Sequence, residues 1–350
     1  MNATRTILLT GSSGVVGSAL LNHLGLNHLG QHRIVCLTHN TVPDRALERV
    51  QGDLTAAGLG LDLRTRRRLI GEVDAIVHCA AVTEFTAGAE ATRDLNVLGT
   101  QRVLDFAAEA GATTHYVSTA FVAREDLTRP DVGEGAADPS RYLESKRNAE
   151  TMVRDSGLPA TIIRPSVVIG DSASGAISRF QGLHSLVKAI MKNALPVLPL
   201  HPLAHIDFIP QDLLAGAVAR LIDNEITSGE YWITSGQNAL TAGAVVGLCL
   251  RVGLRHRMEI KPPRLVDLEL VDRLIRPVFI DPLPSASRRR FDDMLAMTSL
   301  FTEGGYFPSS LDQIPGCAIP SKQLLISSFC RNVEHLVRTN QLGQFGVEAA

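Results

Sequence analysis

The chain has 350 residues, 45% of them hydrophobic, and a formal net charge of −2, which suffices for a sizeable core in one large unit or in a domain with a smaller cap. The net charge favours no particular partner, and no basic stretch is long enough to suggest nucleic acid: the short runs Arg66-Arg67-Arg68 and Arg288-Arg289-Arg290 read as solvated helix faces. No apolar run reaches the ~20 residues that cross a bilayer, and Thr4-Arg5 leads straight into the first apolar stretch, so neither a membrane span nor a secretory signal is expected. The five cysteines (Cys36, Cys79, Cys249, Cys317 and Cys330) are scattered and lack metal-type spacing, which predicts reduced, mostly packed thiols in a cytoplasmic protein.

The first predicted strand, Thr6–Thr10, runs into Gly11-Ser-Ser-Gly14-Val-Val-Gly17. Val15, Val16, Ala19, Leu20 and Leu24 then recur at helical spacing. In this setting Gly11 suits a tight turn, Gly14 lets backbone approach a pyrophosphate, and Gly17 lets the helix lie close on the strand. Phosphates are expected on the N–H groups of the turn around Ser13, Gly14 and Val15, where the helix dipole favours negative charge. No Gly-Lys-Ser/Thr follows, which disfavours a nucleotide-hydrolysing phosphate loop. The tandem pair Leu21-Asn-His-Leu-Gly25 and Leu26-Asn-His-Leu-Gly30 is too short for a solenoid and reads as a lengthened helix end without chemistry.

Further strands are predicted at Arg33–Thr38, Arg49–Asp53, Ala75–Cys79, Thr114–Ser118 and Thr161–Arg164, with helices including Leu95–Ala110 and Arg141–Ser156 between them. This alternation predicts an α/β fold, a doubly wound parallel sheet of Rossmann type with a smaller C-terminal substrate lobe. Gly11, Ala80 and Thr119 fall just past strand ends, where ligands bind in such sheets. Residues 1–170 form the predicted dinucleotide-binding domain, to which the chain returns around 205–240 through a helix at Gln211–Ile222 and a strand at Glu230–Thr234. Residues 171–204 and 241–350 form the predicted substrate lobe. The loop Gly170–Gly175 and the proline-rich stretch Pro196–Pro210 are expected to line an elongated substrate path. His201 and His205 are separated by Pro202, which argues against a metal pair, and Asp292-Asp293 reads as a helix start or surface pair. Neither His-Glu-x-x-His nor Gly-x-Ser-x-Gly occurs.

Tyr142-Leu-Glu-Ser-Lys146 places a phenol and an ammonium one helical turn apart. Carbonyl reduction needs a hydride on carbon and a proton on oxygen. A tyrosine of ordinary pKa, about 10, is a poor proton donor at neutral pH, and a neighbouring ammonium is expected to favour its phenolate. Together with the glycine turn, the pair predicts a nicotinamide-dependent reductase.

Several segments in order resemble the extended short-chain dehydrogenase/reductase superfamily over roughly the first two-thirds of the chain. They are the glycine turn, Gly52-Asp-Leu54, Asp74-Ala-Ile-Val-His-Cys-Ala-Ala81, Asn96-Val-Leu-Gly-Thr100, Val117-Ser-Thr-Ala-Phe-Val122, the Tyr142/Lys146 pair and Arg164-Pro-Ser-Val-Val-Ile-Gly170. Within it, Ser145-Lys-Arg-Asn-Ala-Glu150, Ile169-Gly-Asp-Ser172 and His205-Ile-Asp-Phe-Ile-Pro-Gln-Asp212 resemble the thioester reductases and fatty acyl-CoA reductases. The resemblance implies catalysis by Tyr142 with Lys146, Thr119 holding the substrate oxygen, and Asn96 supporting a proton-relay water; Ser118 is the rival for the Thr119 role. Lys146 and Tyr142 also face the nicotinamide ribose by this resemblance, Pro165 and Val168 contact the cofactor, and Asp53 and Leu54 flank the adenine beside the Ala80-Ala81 turn.

The second strand ends Cys36-Leu-Thr-His39-Asn40 without the acid that NAD enzymes place there. His39, Arg45 and Arg49 therefore favour NADPH, with NADH less favoured. The implied reaction is reduction of an acyl thioester, on coenzyme A or an acyl or peptidyl carrier protein, to an aldehyde and onward to an alcohol where a second hydride follows. The alternatives are reduction of a ketone or aldehyde in small-molecule biosynthesis, a nucleotide-sugar epimerase or dehydratase, and a non-catalytic NAD(P)-sensing protein. A monomer or a homodimer is expected.

Overall fold

Apolar runs separated by helices pair in parallel, because each crossover returns the chain to the same end of the sheet. A computed structural model describes residues 4–27, 32–40, 48–124, 127, 137–282, 284–301 and 305–342. The first half contains β1 (Arg5–Thr10), α1 (Val15–Asn27), β2 (His32–Thr38), β3 (Glu48–Gln51), α2 (Leu63–Ile70), β4 (Ala75–His78) and α3 (Ala89–Thr92). A π-helical turn (Arg93–Leu98), α4 (Gly99–Ala110), β5 (Thr113–Val117), α5 (Pro139–Asp155) and β6 (Ala160–Pro165) follow. Next come β7 (Val167–Ile169), α6 (Leu183–Met191), β8 (Val197–Pro199), β9 (His205–Ile206), β10 (Phe208–Pro210), α7 (Gln211–Asp223) and β11 (Ser228–Ile233). The last part holds β12 (Leu240–Thr241), α8 (Ala242–Arg255), β13 (Arg264–Val266), α9 (Leu268–Leu270), a second π-helical turn (Val271–Ile280), α10 (Ser285–Ser299) and α11 (Lys322–Thr339).

The central sheet has seven parallel strands in the order β11-β6-β5-β4-β1-β2-β3. The order reverses between β1 and β4, which opens a crevice at their carboxyl ends. Alternate side chains of one strand feed opposite layers. Ile7 and Leu9 of β1 join Leu20 and Leu24 of α1 and Leu214 and Val218 of α7. Leu8, between them, joins Val35 and Ile76 with Leu69 of α2 and Phe106 of α4. Each such side chain contributes about 1.5–3 kcal/mol on burial. A third cluster gathers Leu186 of α6, Val245 of α8 and Phe329 of α11 away from the sheet.

The strands expected from the sequence form within a residue or two, and the helix beginning at Gln211 and the strand ending at Ile233 return to the sheet as α7 and β11. One local expectation fails, the reading of Asp292-Asp293 as a helix start. Within the proline-rich stretch β8 pairs with β13, β9 with β12 and β10 with β7. The loop Gly170–Gly175 is pinned by side chains. Ser172 donates through N (2.8 Å) and Oγ (2.6 Å) to the Asp212 carboxylate, while Arg331 and Asn332 of α11 donate to the Ser172 and Gly175 carbonyls at 2.7 and 2.9 Å. Asp292 sits mid-helix in α10, where it accepts from Arg276 at 2.7 Å, because the preceding π-helical turn brings that guanidinium across. The first copy of the tandem pentapeptide lies in α1, and part of the second, with Arg45, lies outside the described residues. No helix among the described residues is long and apolar enough to cross a membrane, and none of their His, Cys, Asp and Glu side chains cluster as a metal site.

Candidate active site

Gly11 has φ +70°, and a Cβ there would lie 2.6 Å from the Ala80 backbone nitrogen. Only glycine lets the β1–α1 turn and the residue after β4 approach so closely. At Gly17 a Cβ would overlap the Gly11 carbonyl, so α1 also leaves the sheet at a glycine-only spacing. Gly11 borders a cleft of about 320 Å³ lined also by Ser12, Ser13, Thr38, His39 and Ala80, with Asp53, Leu54 and Leu95. The Asp53 carboxylate accepts from Thr55 N and Oγ1, both at 2.7 Å, which holds it below the usual carboxylate range. A cradle closed to any Cβ, at the N-terminus of a helix and at the switch point of the sheet, fits a dinucleotide pyrophosphate.

Beside this cleft, Thr119 ends the β5 segment and caps a short 3₁₀ turn (Ala120–Ala123), its Oγ1 accepting from Phe121 N at 3.3 Å. Asp138 caps α5 with Pro139 in its first turn, and this helix carries Tyr142 and Lys146 to the same spot. The Thr119 hydroxyl acts on the Tyr142 phenol, lowering its pKa against the effect of burial, whereas the buried Ser118 hydroxyl has no hydrogen-bond partner among the described residues. Of the two adjacent hydroxyls, Thr119 is the one that acts on the phenol.

Burial pushes the Tyr142 phenol up to about 12, with the Thr119 hydroxyl acting against it. Burial pulls Lys146 down to about 8, opposed by Cys79 and Glu150. The expected ammonium–phenol pairing is not made here. Lys146 Nζ donates to the Val117 carbonyl at 2.7 Å and lies 4.6 Å from the centre of the Tyr116 ring. A buried cation needs such partners, and these turn it toward β5, so the phenol is held neutral.

Asn96 sits in the π-helical turn, a distortion common at functional positions. Its Oδ1 accepts from Val82 N at 2.8 Å, and its Nδ2 donates to the Val82 carbonyl (3.0 Å) and to Ser145 Oγ (2.9 Å). Both amide hydrogens are therefore spent on holding the loop after Ala81 against α5.

The family described as male sterility protein matches residues 45–218. A hybrid polyketide–nonribosomal peptide synthetase of Chaetomium globosum is 32% identical over 203 residues, 49% of this chain and 4% of that protein. The terminal R domain of the myxalamid polyketide–nonribosomal peptide pathway superposes with a TM-score of 0.73 at 25% identity, over 98% of this chain and 93% of that one. The fold is that of the extended short-chain dehydrogenases/reductases. Within that superfamily it is most like the thioester reductases. A thiolation-reductase di-domain of an archaeal nonribosomal peptide synthetase shares the fold, with a TM-score of 0.67 at 15% identity over 97% of this chain and 76% of that one. This chain spans only a small fraction of the length of its synthetase relative.

The cleft brings together Gly11, Ser13, His39, Asp53, Leu54 and Ala80 of the residues read from sequence. Gly14 and Val15 open α1 just behind them, and Ala81 follows Ala80. Pro165 ends β6, and Val168, in β7, packs partly against the sheet's buried layer. Arg49 stands apart. It is exposed on β3 opposite Cys36, three residues and so about 10 Å along the strand from Gly52. Leu95 and Thr38 were missed from the sequence, although each adjoins a residue that was singled out. Past Thr119, Phe121 packs edge-on against Phe301 and Phe307 at 5.8 and 5.3 Å, and Arg124 donates to the Leu300 carbonyl at 2.8 Å. These contacts bound a small hollow of about 30 Å³ that also touches His205, Asp207 and Tyr306.

Proposed function

We propose that the protein reduces an acyl thioester, carried on a carrier protein or coenzyme A, to an aldehyde with NADPH. The observation that carries this reading is the action of the Thr119 hydroxyl on the Tyr142 phenol at the strand ends beside the glycine cleft. A bound nicotinamide supplies the hydride to the thioester carbon. Thr119 and Tyr142 hold the carbonyl oxygen between two hydroxyls, which favours the charge that develops there. The buried phenol, kept protonated, gives its proton to that oxygen, leaving a hemithioacetal. Collapse of the hemithioacetal breaks the C–S bond and releases a thiol and the aldehyde. On this reading Lys146 holds the nicotinamide ribose, and Asn96 fixes the loop after Ala81. The likeness to R domains and to a thiolation-reductase pair supports the carrier-bound substrate.

The preference for NADPH is supported by His39 and Asn40 at the cleft, since β2 runs into them without an acid for the ribose hydroxyls. Titration of both cofactors should give the tighter binding to NADPH; equal affinity refutes the preference. An acyl-coenzyme A substrate should consume NADPH and release free thiol, and turnover of ketones or aldehydes with no thioester refutes the substrate class. Tyr142→Phe should leave cofactor affinity nearly unchanged and lower kcat by about two to four orders of magnitude. Near-normal turnover in that variant removes the proposed proton donor.

A further inference from the structure

We propose that His78 is a positioning residue: as the neutral imidazole with its proton on Nε2, it locks the Ala80-Ala81 wall of the cleft to the Asn96 turn and, through it, to the tyrosine helix. The inference rests on the reading that this cleft and Tyr142 work together.

The direction of every hydrogen bond follows from the donors available. Thr100 Oγ1 spends its one proton on the Asn96 carbonyl at 2.7 Å. Toward His78 Nε2, 3.1 Å away, Thr100 is therefore the acceptor, and the ring must donate. His78 Nδ1 then accepts from Thr10 Oγ1 at 2.7 Å, and Thr10 Oγ1 accepts from Ala80 N at 3.3 Å. The series runs one way only, from Ala80 through Thr10, His78 and Thr100 to Asn96. From there the Asn96 amide donates to Ser145 Oγ, which donates to the Tyr142 carbonyl at 2.7 Å. The segment 78–82 is thus held at one end by His78 and at the other by Asn96.

A cationic imidazole breaks this order, because Nδ1 would carry a proton of its own and the Thr10 hydroxyl proton that it now accepts would lose its acceptor. The surroundings oppose that cation. His78 is buried and the Lys146 ammonium adds repulsion; burial first, then Lys146, pulls its pKa down to about 3. Apolar packing alone does not account for histidine here, since both ring nitrogens are used, one as donor and one as acceptor.

Nitrogen NMR of the full chain labelled at histidine should show His78 with Nε2 protonated and Nδ1 bare, unchanged down to about pH 5. A proton on Nδ1, or an imidazolium in that range, overturns the proposal. The two bonds can then be separated. His78→Asn places an acceptor toward Thr10 and gives up the Thr100 bond. His78→Gln reaches Thr100 with a donor and gives up the Thr10 bond. The asparagine variant should keep cofactor affinity, read by cofactor fluorescence, and lose about tenfold in kcat, on the scale of one hydrogen bond. The glutamine variant should weaken cofactor binding by about the same factor and keep more of kcat. Equal effects of both variants on both constants, or none, refute the coupling. Tautomer and cofactor affinity are read without a thioester, so their failure is distinct from failure of the proposed substrate.

Discussion

Replacing Glu150 with glutamine removes one charge from a buried ion network behind the catalytic turn. Glu150 is 2% exposed and accepts from Arg164 Nε (2.9 Å) and Nη2 (2.6 Å) and from Arg154 at 2.7 Å. Burial acts to raise its pKa, yet the hydrogen bonds from Arg164 and Arg154 hold it below the usual carboxylate range. The Arg154 side chain is 42% exposed, so its share is screened and is set aside. Removing one member of a buried pair costs about 3–5 kcal/mol, and glutamine, which keeps the volume and one acceptor, belongs near the lower end. With an unfolding entropy of about 2.1 cal/mol/K per residue, a 350-residue chain gives about 0.7 kcal/mol/K, so Tm should fall by about 4 °C at neutral pH. A depressed folded pKa means that the contribution is full above the unfolded carboxylate range and is lost as pH falls through the folded value. The deficit measured by thermal unfolding should therefore close on acidification. The Glu150 charge also raises the pKa of Lys146, so an alkaline limb of activity that follows Lys146 should move to lower pH in E150Q. A Tm within about 1 °C of the parent, or a deficit that persists in acid, refutes this account.

Gly11→Ala places a Cβ 2.6 Å from Ala80 N at φ +70°, so cofactor titration should show affinity weakened at least about tenfold, since strain of about 1–2 kcal/mol falls on the cleft itself; unchanged affinity refutes the close approach. Asp207 carries a carboxyl that burial pushes up to about 6, with one oxygen accepting from Ser235 N at 2.9 Å. Because the folded pKa is the higher one, its stabilisation is present below the unfolded value and is lost as pH rises through about 6. Asp207→Asn keeps the acceptor and should be the more stable form at pH 8 but not at pH 4 by chemical denaturation, and the reverse order refutes the assignment.

The sheet was legible because each strand is a short apolar run closed by a glycine or polar residue, and parallel strands buried on both faces carry that pattern plainly. The glycine turn and the Tyr142/Lys146 spacing were legible for a similar reason, since both are local geometry on a single element. The π-helical turn was not. Leu95–Ala110 reads as one helix, and nothing in its periodicity signals the wider turn at Arg93–Leu98. That turn answers to Val82 and Ser145, 14 residues before and 49 residues after Asn96. Lys146 was misread in the same way: its i+4 spacing from Tyr142 is visible, but the Val117 carbonyl that claims its proton is 29 residues away.

The C-terminal part adds a final step to the argument. Phe301 and Phe307 grip Phe121 from two sides, and Arg124 reaches across to the Leu300 carbonyl at the end of α10. Arg147 of α5, one residue beyond Lys146, donates to the Val122 carbonyl at 3.0 Å. The 3₁₀ turn that Thr119 caps is therefore held from the tyrosine helix on one side and from α10 on the other. On the proposed function this hydroxyl meets the reacting oxygen within a few tenths of an ångström, and backbone fixed in this manner suits that task. The late elements then do two things with the same contacts: they bound the hollow beside Thr119, and they fix the turn that aims it. Such a dual role leaves no short signature in the sequence, because aromatic residues 180 or more positions apart serve it only once the chain has folded.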